Sequence, residues 1–155
     1  MINEVRLSSS KSVRTSLQAV YNGTAGLNLR RQQMLDRVPK SNDWAAFKLN
    51  SIKIRDIAYL SAATHHEFAI LRGKSKDILF HGVRWHCNFS NELIELLKER
   101  KLRLIAHTHT DIDRIVASLD DREFLRAIGQ KESIIISSIT GDEKVFYADM
   151  FEDLR

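Results

Sequence analysis

The feature that most restricts the fold of this 155-residue chain is the stretch from Leu102 to Phe124. An apolar run over residues 102–106 leads directly into His107 and His109, and such a short run predicts a buried β-strand. Side chains at positions i and i+2 of a strand leave the same face of the sheet. We therefore expect the two imidazoles to lie side by side on one face.

A Ser-x-x-Asp sequence, Ser118 to Asp121, follows nine residues after His109 and marks the start of a predicted helix. A carboxylate at this place can fold back over the histidine pair. Two nitrogens and one oxygen are the three protein ligands found in catalytic zinc sites, which leave a fourth position for water. The sequence thus favours Zn²⁺ bound by His107, His109 and Asp121.

The acidic ligand has alternatives. Ser118 and Asp121 also match a capping box, in which the serine caps the helix and the acidic residue reaches back to the backbone. The capping and metal-binding roles are compatible for Ser118 but compete for Asp121. Asp120, Asp113 and Asp111 are substitute ligands if the register differs, and Asp121 ranks first because it completes Ser-x-x-Asp.

Together with an upstream glutamate, these residues resemble the motif of the JAMM (MPN+, JAB) metalloproteases, Glu … His-(Ser/Thr)-His-Pro … Ser-x-x-Asp. The corresponding residues are Glu67, His107-Thr108-His109-Thr110, Ser118 and Asp121. Thr110 occupies the position of the usual proline, and the gap from His109 to Ser118 is one residue longer than in many members. The resemblance covers roughly residues 51–148 and favours a compact member of prokaryotic type.

The resemblance implies an α/β (α+β) fold with a mixed, curved β-sheet flanked by helices, as in the cytidine-deaminase-like MPN/JAB core. It implies Zn²⁺ as cofactor, with His107, His109 and Asp121 as ligands. Glu67 would be the catalytic acid/base, and Ser118 would help to stabilise the oxyanion. The implied activity is deubiquitinase-like hydrolysis of a peptide or isopeptide bond, with a ubiquitin-like protein or peptide conjugate as substrate.

The hydrophobic pattern predicts alternating helices and strands. Helices are expected over residues 13–21, 27–38, 51–62, 91–101 and 118–128, and strands over 66–72, 78–80, 102–108, 133–139 and 143–148. Residues 81–89 are expected to form another strand or the approach to one. The last two strands flank a hairpin turn at 140–142. The predicted domains are a basic, partly helical accessory segment over residues 1–50 and a JAB/MPN metallopeptidase domain over residues 51–155.

Composition limits the class of protein. Cys87 is the lone cysteine, which excludes an internal disulfide framework and fits a reducing compartment. No apolar run approaches the ~20 residues of a membrane span, and the first residues lack the apolar core of a signal peptide. We therefore expect a cytoplasmic protein with no membrane partner.

The net charge of +4 is concentrated in residues 1–60, which hold ten Lys and Arg against four Asp and Glu. A solvated helical face is the favoured interpretation, because no aromatic residues interleave with these charges as a nucleic-acid stacking surface requires. Two alternatives to an enzyme stay open. One is a non-catalytic MPN-type scaffold or homodimeric assembly module, and the other is a nucleic-acid-associated member that uses residues 1–50.

Overall fold

The computed structural model describes residues 5–6, 11–84, 87, 89–110 and 115–149. Within these ranges the chain forms five α-helices and seven β-strands. The helices are α1 Lys11–Tyr21, α2 Leu29–Arg37, α3 Ile54–Thr64, α4 Asn91–Glu99 and α5 Leu119–Ala127. The strands are β1 Val5–Arg6, β2 Asp43–Lys48, β3 Phe68–Arg72, β4 Lys76–His81, β5 Arg103–His109, β6 Glu132–Ser137 and β7 Glu143–Tyr147. None of these helices is long and apolar enough to cross a membrane.

The strands form one mixed sheet in the order β1-β7-β6-β5-β3-β4-β2. Strands β5 and β6 run parallel, and the other neighbouring pairs are antiparallel. A parallel pair needs a long crossover connection, which α5 supplies between β5 and β6. This mixed sheet with helices confirms the α/β (α+β) class expected from the sequence.

Helices cover both faces of the sheet. Successive strand residues point to opposite faces, so each strand can contribute to two buried clusters. On one face, Ile70 and Leu79 belong to a cluster with residues of α1, α2 and α3. On the other face, Leu71 and Phe80 belong to a second cluster with residues of α4 and α5. The central strands are therefore buried from both sides, which fixes the positions of their ends.

Residues 11–48 pack into the same core as the later part of the chain. Leu17, Val20 and Met34 are buried in one cluster with Ile57 and Leu60 of α3. Strand β2, which the sequence pattern did not predict, pairs along its length with β4. The predicted boundary at residues 50 and 51 therefore falls in the connection between β2 and α3, with both sides contributing to one core.

A buried carboxylate ties α2 to the start of α3. Asp56 is 1% exposed and accepts two hydrogen bonds from the Arg30 guanidinium, at 2.7 and 2.6 Å. Arg31 Nε donates a third at 3.0 Å, and the backbone N–H of Lys53 donates a fourth at 2.8 Å. These bonds account for both oxygens of the charged group, so its burial is compensated.

Cap and turn residues mark the beginning or the end of several elements at the positions that the sequence predicts. The Ser90 side chain accepts the N–H of Leu93 at the start of α4, and Gly129 follows α5 with a φ of 71°. Gly141, with a φ of 78°, lies in the predicted hairpin turn between β6 and β7.

Residues 81–89 were expected to form a strand or the approach to one, and the strand alternative is wrong for the residues described there. Strand β4 ends at His81, and the described residues between 82 and 90 form no strand. Gly82 and Val83 still bond to the backbone of Glu67, but β3 begins only at Phe68. Of the residues that follow Val83 before α4, the described ones, 84, 87, 89 and 90, pair with no strand of this sheet.

Candidate metal centre

His107 and His109 lie at the carboxyl end of β5 with their rings on the same face of the sheet. Their Nε2 atoms are 3.2 Å apart, and the ring planes meet at 64°. Both side chains are buried, and His107 also packs edge-on against Phe146. The i, i+2 spacing on a strand therefore brings the two imidazoles together as predicted.

Asp121, in the first turn of α5, contacts both imidazoles. Its Oδ1 lies 3.1 Å from His107 Nε2, and its Oδ2 lies 3.1 Å from His109 Nε2. The Asp121 side chain is only 17% exposed. The carboxylate predicted to fold back over the histidine pair therefore does so.

The spacing of these atoms matches the geometry of a metal site. In a tetrahedral zinc site with bonds of about 2.0–2.1 Å, neighbouring ligand atoms lie about 3.3 Å apart. The histidine–histidine contact and the two histidine–carboxylate contacts measure 3.2, 3.1 and 3.1 Å. Two imidazole nitrogens at this distance, facing one carboxylate, are arranged to share a cation.

The histidines also hold the pKa of Asp121 well below its usual range. Burial by itself would raise this pKa, but the charge of His107 and hydrogen bonds from both imidazoles more than reverse that effect. The carboxylate is therefore ionised in the folded protein, which is the form that binds a metal ion. Two imidazoles and an ionised carboxylate form a donor set that zinc accepts.

Glu67 lies immediately before β3 and is 5% exposed. One carboxylate oxygen of Glu67 and one ring nitrogen from each of His107 and His109 lie within 4.8 Å of one another. These three buried groups are close enough to bind a metal ion. The Glu67 N–H donates to Val83 O at 2.8 Å, and its carbonyl accepts from Gly82 N at 2.7 Å. These two bonds hold the backbone of Glu67 against the residues that directly follow β4.

Ser118 caps α5, as the sequence predicts. Its hydroxyl accepts the N–H of Asp121 at 3.0 Å, and its own N–H donates to Asp121 Oδ2 at 2.9 Å. The expected competition between capping and metal binding does not arise for Asp121, because an ionised carboxylate has about four lone-pair positions. Ser118 is exposed, and its hydroxyl proton is not used by the cap.

Of the other acidic candidates, the structure describes only Asp120. Asp120 is exposed on α5, and no contact joins it to either imidazole within the described residues. Asp111 and Asp113 lie outside the described residues. Thr110, at the position of the family's proline, is buried and donates a hydrogen bond of 3.0 Å to Arg84 O. This bond fixes the end of β5 against the segment that follows β4.

The ring nitrogens of His107 and His109 that face away from Asp121, the Nδ1 atoms, differ from those of many metal sites in their hydrogen bonding. The Nδ1 atoms of His107 and His109 are buried and have no hydrogen-bond partner in the part of the chain that the structure describes. Metal-binding histidines usually donate this N–H to an oxygen. The described residues thus include candidate metal ligands, but none of them accepts a hydrogen bond from the Nδ1 atoms of the two histidines.

No family model, curated protein or solved structure matches the chain. The candidate metal site therefore rests on the geometry and chemistry of its residues.

A pocket of about 460 Å³ adjoins the histidine pair, and the sequence pattern did not predict it. It is lined by Cys87, Phe89, Ile94, Leu104, His107, Asp120, Asp121, Glu123, Phe124 and Ala127. Burial raises the pKa of the Cys87 thiol, and the charges of Glu67 and Asp121 raise it further. Cys87 is therefore a neutral thiol in the pocket wall. Recognising this pocket from sequence would have required knowing that α4 and α5 pack on the same face of the sheet.

Proposed function

We propose that the protein is a zinc-dependent hydrolase of the JAMM (MPN+) type that cleaves a peptide or isopeptide bond. One observation carries the proposal. The Nε2 atoms of His107 and His109 and the carboxylate of Asp121 converge at 3.1–3.2 Å, beside the buried carboxylate of Glu67. The order and spacing of the same residues in the sequence support it independently.

His107, His109 and Asp121 would hold the zinc ion in this proposal. Bound zinc supplies Lewis-acid chemistry, since it polarises a carbonyl group and lowers the pKa of a water ligand to about 7. The ionised state of Asp121 offsets part of the charge of the dication. The strand and the helix cap position these ligands before any metal binds, which lowers the cost of ordering them on binding.

Glu67 is the proposed acid/base. Its carboxylate takes a proton from the attacking water and passes it to the leaving amine, so one water and one amide give a carboxylic acid and an amine. Its fixed backbone and low exposure suit a group that must stay within reach of both the water and the amine. The exposed hydroxyl of Ser118 donates a hydrogen bond to the oxyanion that forms between these steps.

The proposed substrate class is an amide between a carboxylate and a primary amine. This class includes the bond that joins the C-terminus of a ubiquitin-like protein to a lysine or peptide, as the family resemblance implies. The acid/base role of Glu67 suits such a bond, because an amine is a poor leaving group unless it is protonated.

The metal content of the purified protein tests the proposal. We expect close to one zinc ion per wild-type chain, measured by elemental analysis after purification without chelator, and loss of most of it in His109→Ala. The matched control is His65→Asn, which removes a histidine away from the site. His65 has a φ of 60°, a conformation that asparagine tolerates. This control should keep the wild-type zinc content.

Absence of zinc from folded wild-type protein, even after zinc is added back, would contradict the hydrolase proposal and favour the scaffold alternative. If zinc is present, amide hydrolysis should be lost in Glu67→Gln while its zinc content stays near one. A Glu67→Gln variant with wild-type turnover would remove Glu67 from the mechanism.

A further inference from the structure

The pocket borders the candidate metal site, because His107 and Asp121 line it. Its volume of about 460 Å³ falls within the range of about 300–1,000 Å³ that is usual for ligand sites. A glycine next to the scissile bond would leave this space unfilled. The size of the pocket therefore favours a substrate with a larger side chain next to the bond to be cleaved.

The walls of the pocket are mostly apolar and are held in place by aromatic packing. Phe89 and Phe124 stack with ring centroids 4.4 Å apart, and Phe89 also contacts Phe80 at 4.6 Å. Leu104 of β5 is 3% exposed, and Ile94 of α4 is half-buried. This surface suits an aromatic or leucine-sized side chain, because burying such a side chain removes a large apolar area from water.

The rim of the pocket is acidic. Asp120, Glu123, Phe124 and Ala127 occur at i, i+3, i+4 and i+7 on α5, so they lie along one face of the helix. Asp120 and Glu123 are exposed, and neither forms a salt bridge within the described residues. Among the described residues, no lysine or arginine lines the pocket. The rim is thus complementary to a positive charge.

We propose that the pocket binds an aromatic or leucine-sized side chain that flanks the scissile amide, with a positively charged group next to it. This inference rests on the proposed hydrolase function and narrows its substrate class. Helix α5 carries Asp121 as well as the pocket wall. An apolar side chain in the pocket therefore packs against the same helix that presents a metal ligand, which aligns the neighbouring amide with the metal site.

Binding to the zinc-loaded Glu67→Gln variant tests the inference without requiring turnover. The probes are pentapeptides that differ only at two adjacent positions, with Phe-Lys, Gly-Lys or Phe-Glu, measured by isothermal titration calorimetry. We expect Phe-Lys to bind at least about tenfold more tightly than Gly-Lys, since burial of a side chain of this size is typically worth that much. We expect it to bind several-fold more tightly than Phe-Glu, because the exposed acidic rim attracts lysine and repels glutamate. Equal affinities for the three peptides would overturn the inference.

Variants on α5 test the apolar wall and the acidic rim of the pocket separately. Ala127→Phe fills the pocket and should reduce the ratio of Phe-Lys to Gly-Lys affinity. Asp120→Asn combined with Glu123→Gln should reduce the ratio of Phe-Lys to Phe-Glu affinity. Glu99→Gln, an exposed position on α4 outside the pocket, is the matched control and should leave both ratios unchanged. Ratios that do not respond to the α5 variants would place the peptide elsewhere and overturn the inference.

The outcome for the pocket and the outcome for the hydrolase can be told apart. Selective binding that responds to the α5 variants, with no hydrolysis of Phe-Lys peptides by the zinc-loaded wild type, would support the pocket and contradict the proposed function. Hydrolysis with equal rates for Phe-Lys and Gly-Lys peptides, together with equal affinities, would support the function and overturn the pocket inference.

Discussion

The side-chain oxygen of Thr108 accepts a hydrogen bond of 2.9 Å from the backbone N–H of Phe68. Both residues are fully buried. Thr108 lies between His107 and His109, and Phe68 directly follows Glu67. One side chain thus joins the strand that carries the histidine pair to the backbone beside the proposed acid/base, so Thr108 is a positioning residue.

We predict that Thr108→Val weakens both stability and hydrolysis. Valine has nearly the same shape but leaves the Phe68 N–H buried without a partner, which costs about 1–3 kcal/mol in the free energy of unfolding. A shift of Glu67 by a fraction of an ångström would lower kcat by about tenfold or more. Urea unfolding and peptide hydrolysis measure the two effects. Thr108→Ser keeps the acceptor oxygen and should restore kcat, whereas wild-type kcat in Thr108→Val would show that this bond does not position Glu67.

Asp121→Asn separates metal binding from helix capping. The asparagine oxygen can still accept the N–H of Ser118, so we expect the metal-free variant to unfold within about 1 kcal/mol of wild type. A neutral amide is a weaker zinc ligand, and zinc affinity should fall by at least about tenfold. Competition with a fluorescent chelator measures the affinity. Asp120→Asn, one residue away and not in contact with the histidines, is the control, and an equal loss of affinity there would argue against Asp121 as the ligand.

The sequence predicted most of the candidate site because its signal is local. The alternation of His107 and His109 on a strand and the cap formed by Ser118 each depend on a few neighbouring residues. The approach of Asp121 to the histidines was predicted from its distance along the chain and confirmed by two contacts of 3.1 Å. The pocket depends on the packing of Phe89 against Phe124, a contact between distant segments that leaves no local pattern.

The same reasoning explains what was missed in the fold. Strand β2 has the burial pattern of a partly exposed edge, and Ala45 and Ala46 give it little of the β-branched signal that predicts strands. Its identity depends on pairing with β4. The predicted strand over 81–89 had suitable residues, but its described residues beyond Val83 pair with no neighbouring strand. A strand forms only where a partner strand pairs with it, so its own sequence does not define it. The caps of α4 and α5, by contrast, can be recognised from four consecutive residues.

Acid should destabilise the protein through Asp56. Burial by itself would raise the pKa of Asp56, but hydrogen bonds from Arg30, the Lys53 N–H and Arg31 outweigh it and lower the pKa below its ordinary value of 3.8. A carboxylate whose pKa is lower in the folded state stabilises the protein fully above its unfolded pKa. That contribution is lost as the pH falls through the folded pKa. Wild-type stability should therefore decline as the pH falls below about 5.

We predict that Asp56→Asn lowers the free energy of unfolding at neutral pH by about 3 kcal/mol, because it leaves two arginines without their buried partner. The variant should also lose part of the acid dependence, so its stability should approach that of wild type as the pH falls. Urea unfolding from neutral pH to about pH 3 measures both effects. Asp36→Asn, an exposed position on α2, is the control. An unchanged acid dependence in Asp56→Asn would contradict the assignment.

Ser118 combines a structural and a proposed chemical role, and two substitutions separate them. Ser118→Ala removes the cap of α5 and should cost about 1 kcal/mol of stability, whereas Ser118→Gly should cost only a few tenths. Both remove the hydroxyl proposed to stabilise the oxyanion, whose loss should lower kcat by about 10²–10³. We therefore expect equal losses of kcat in the two variants but unequal losses of stability, measured by peptide hydrolysis and urea unfolding. A kcat that instead followed stability, with Ser118→Gly close to wild type, would confine Ser118 to capping, because glycine supplies no side-chain donor.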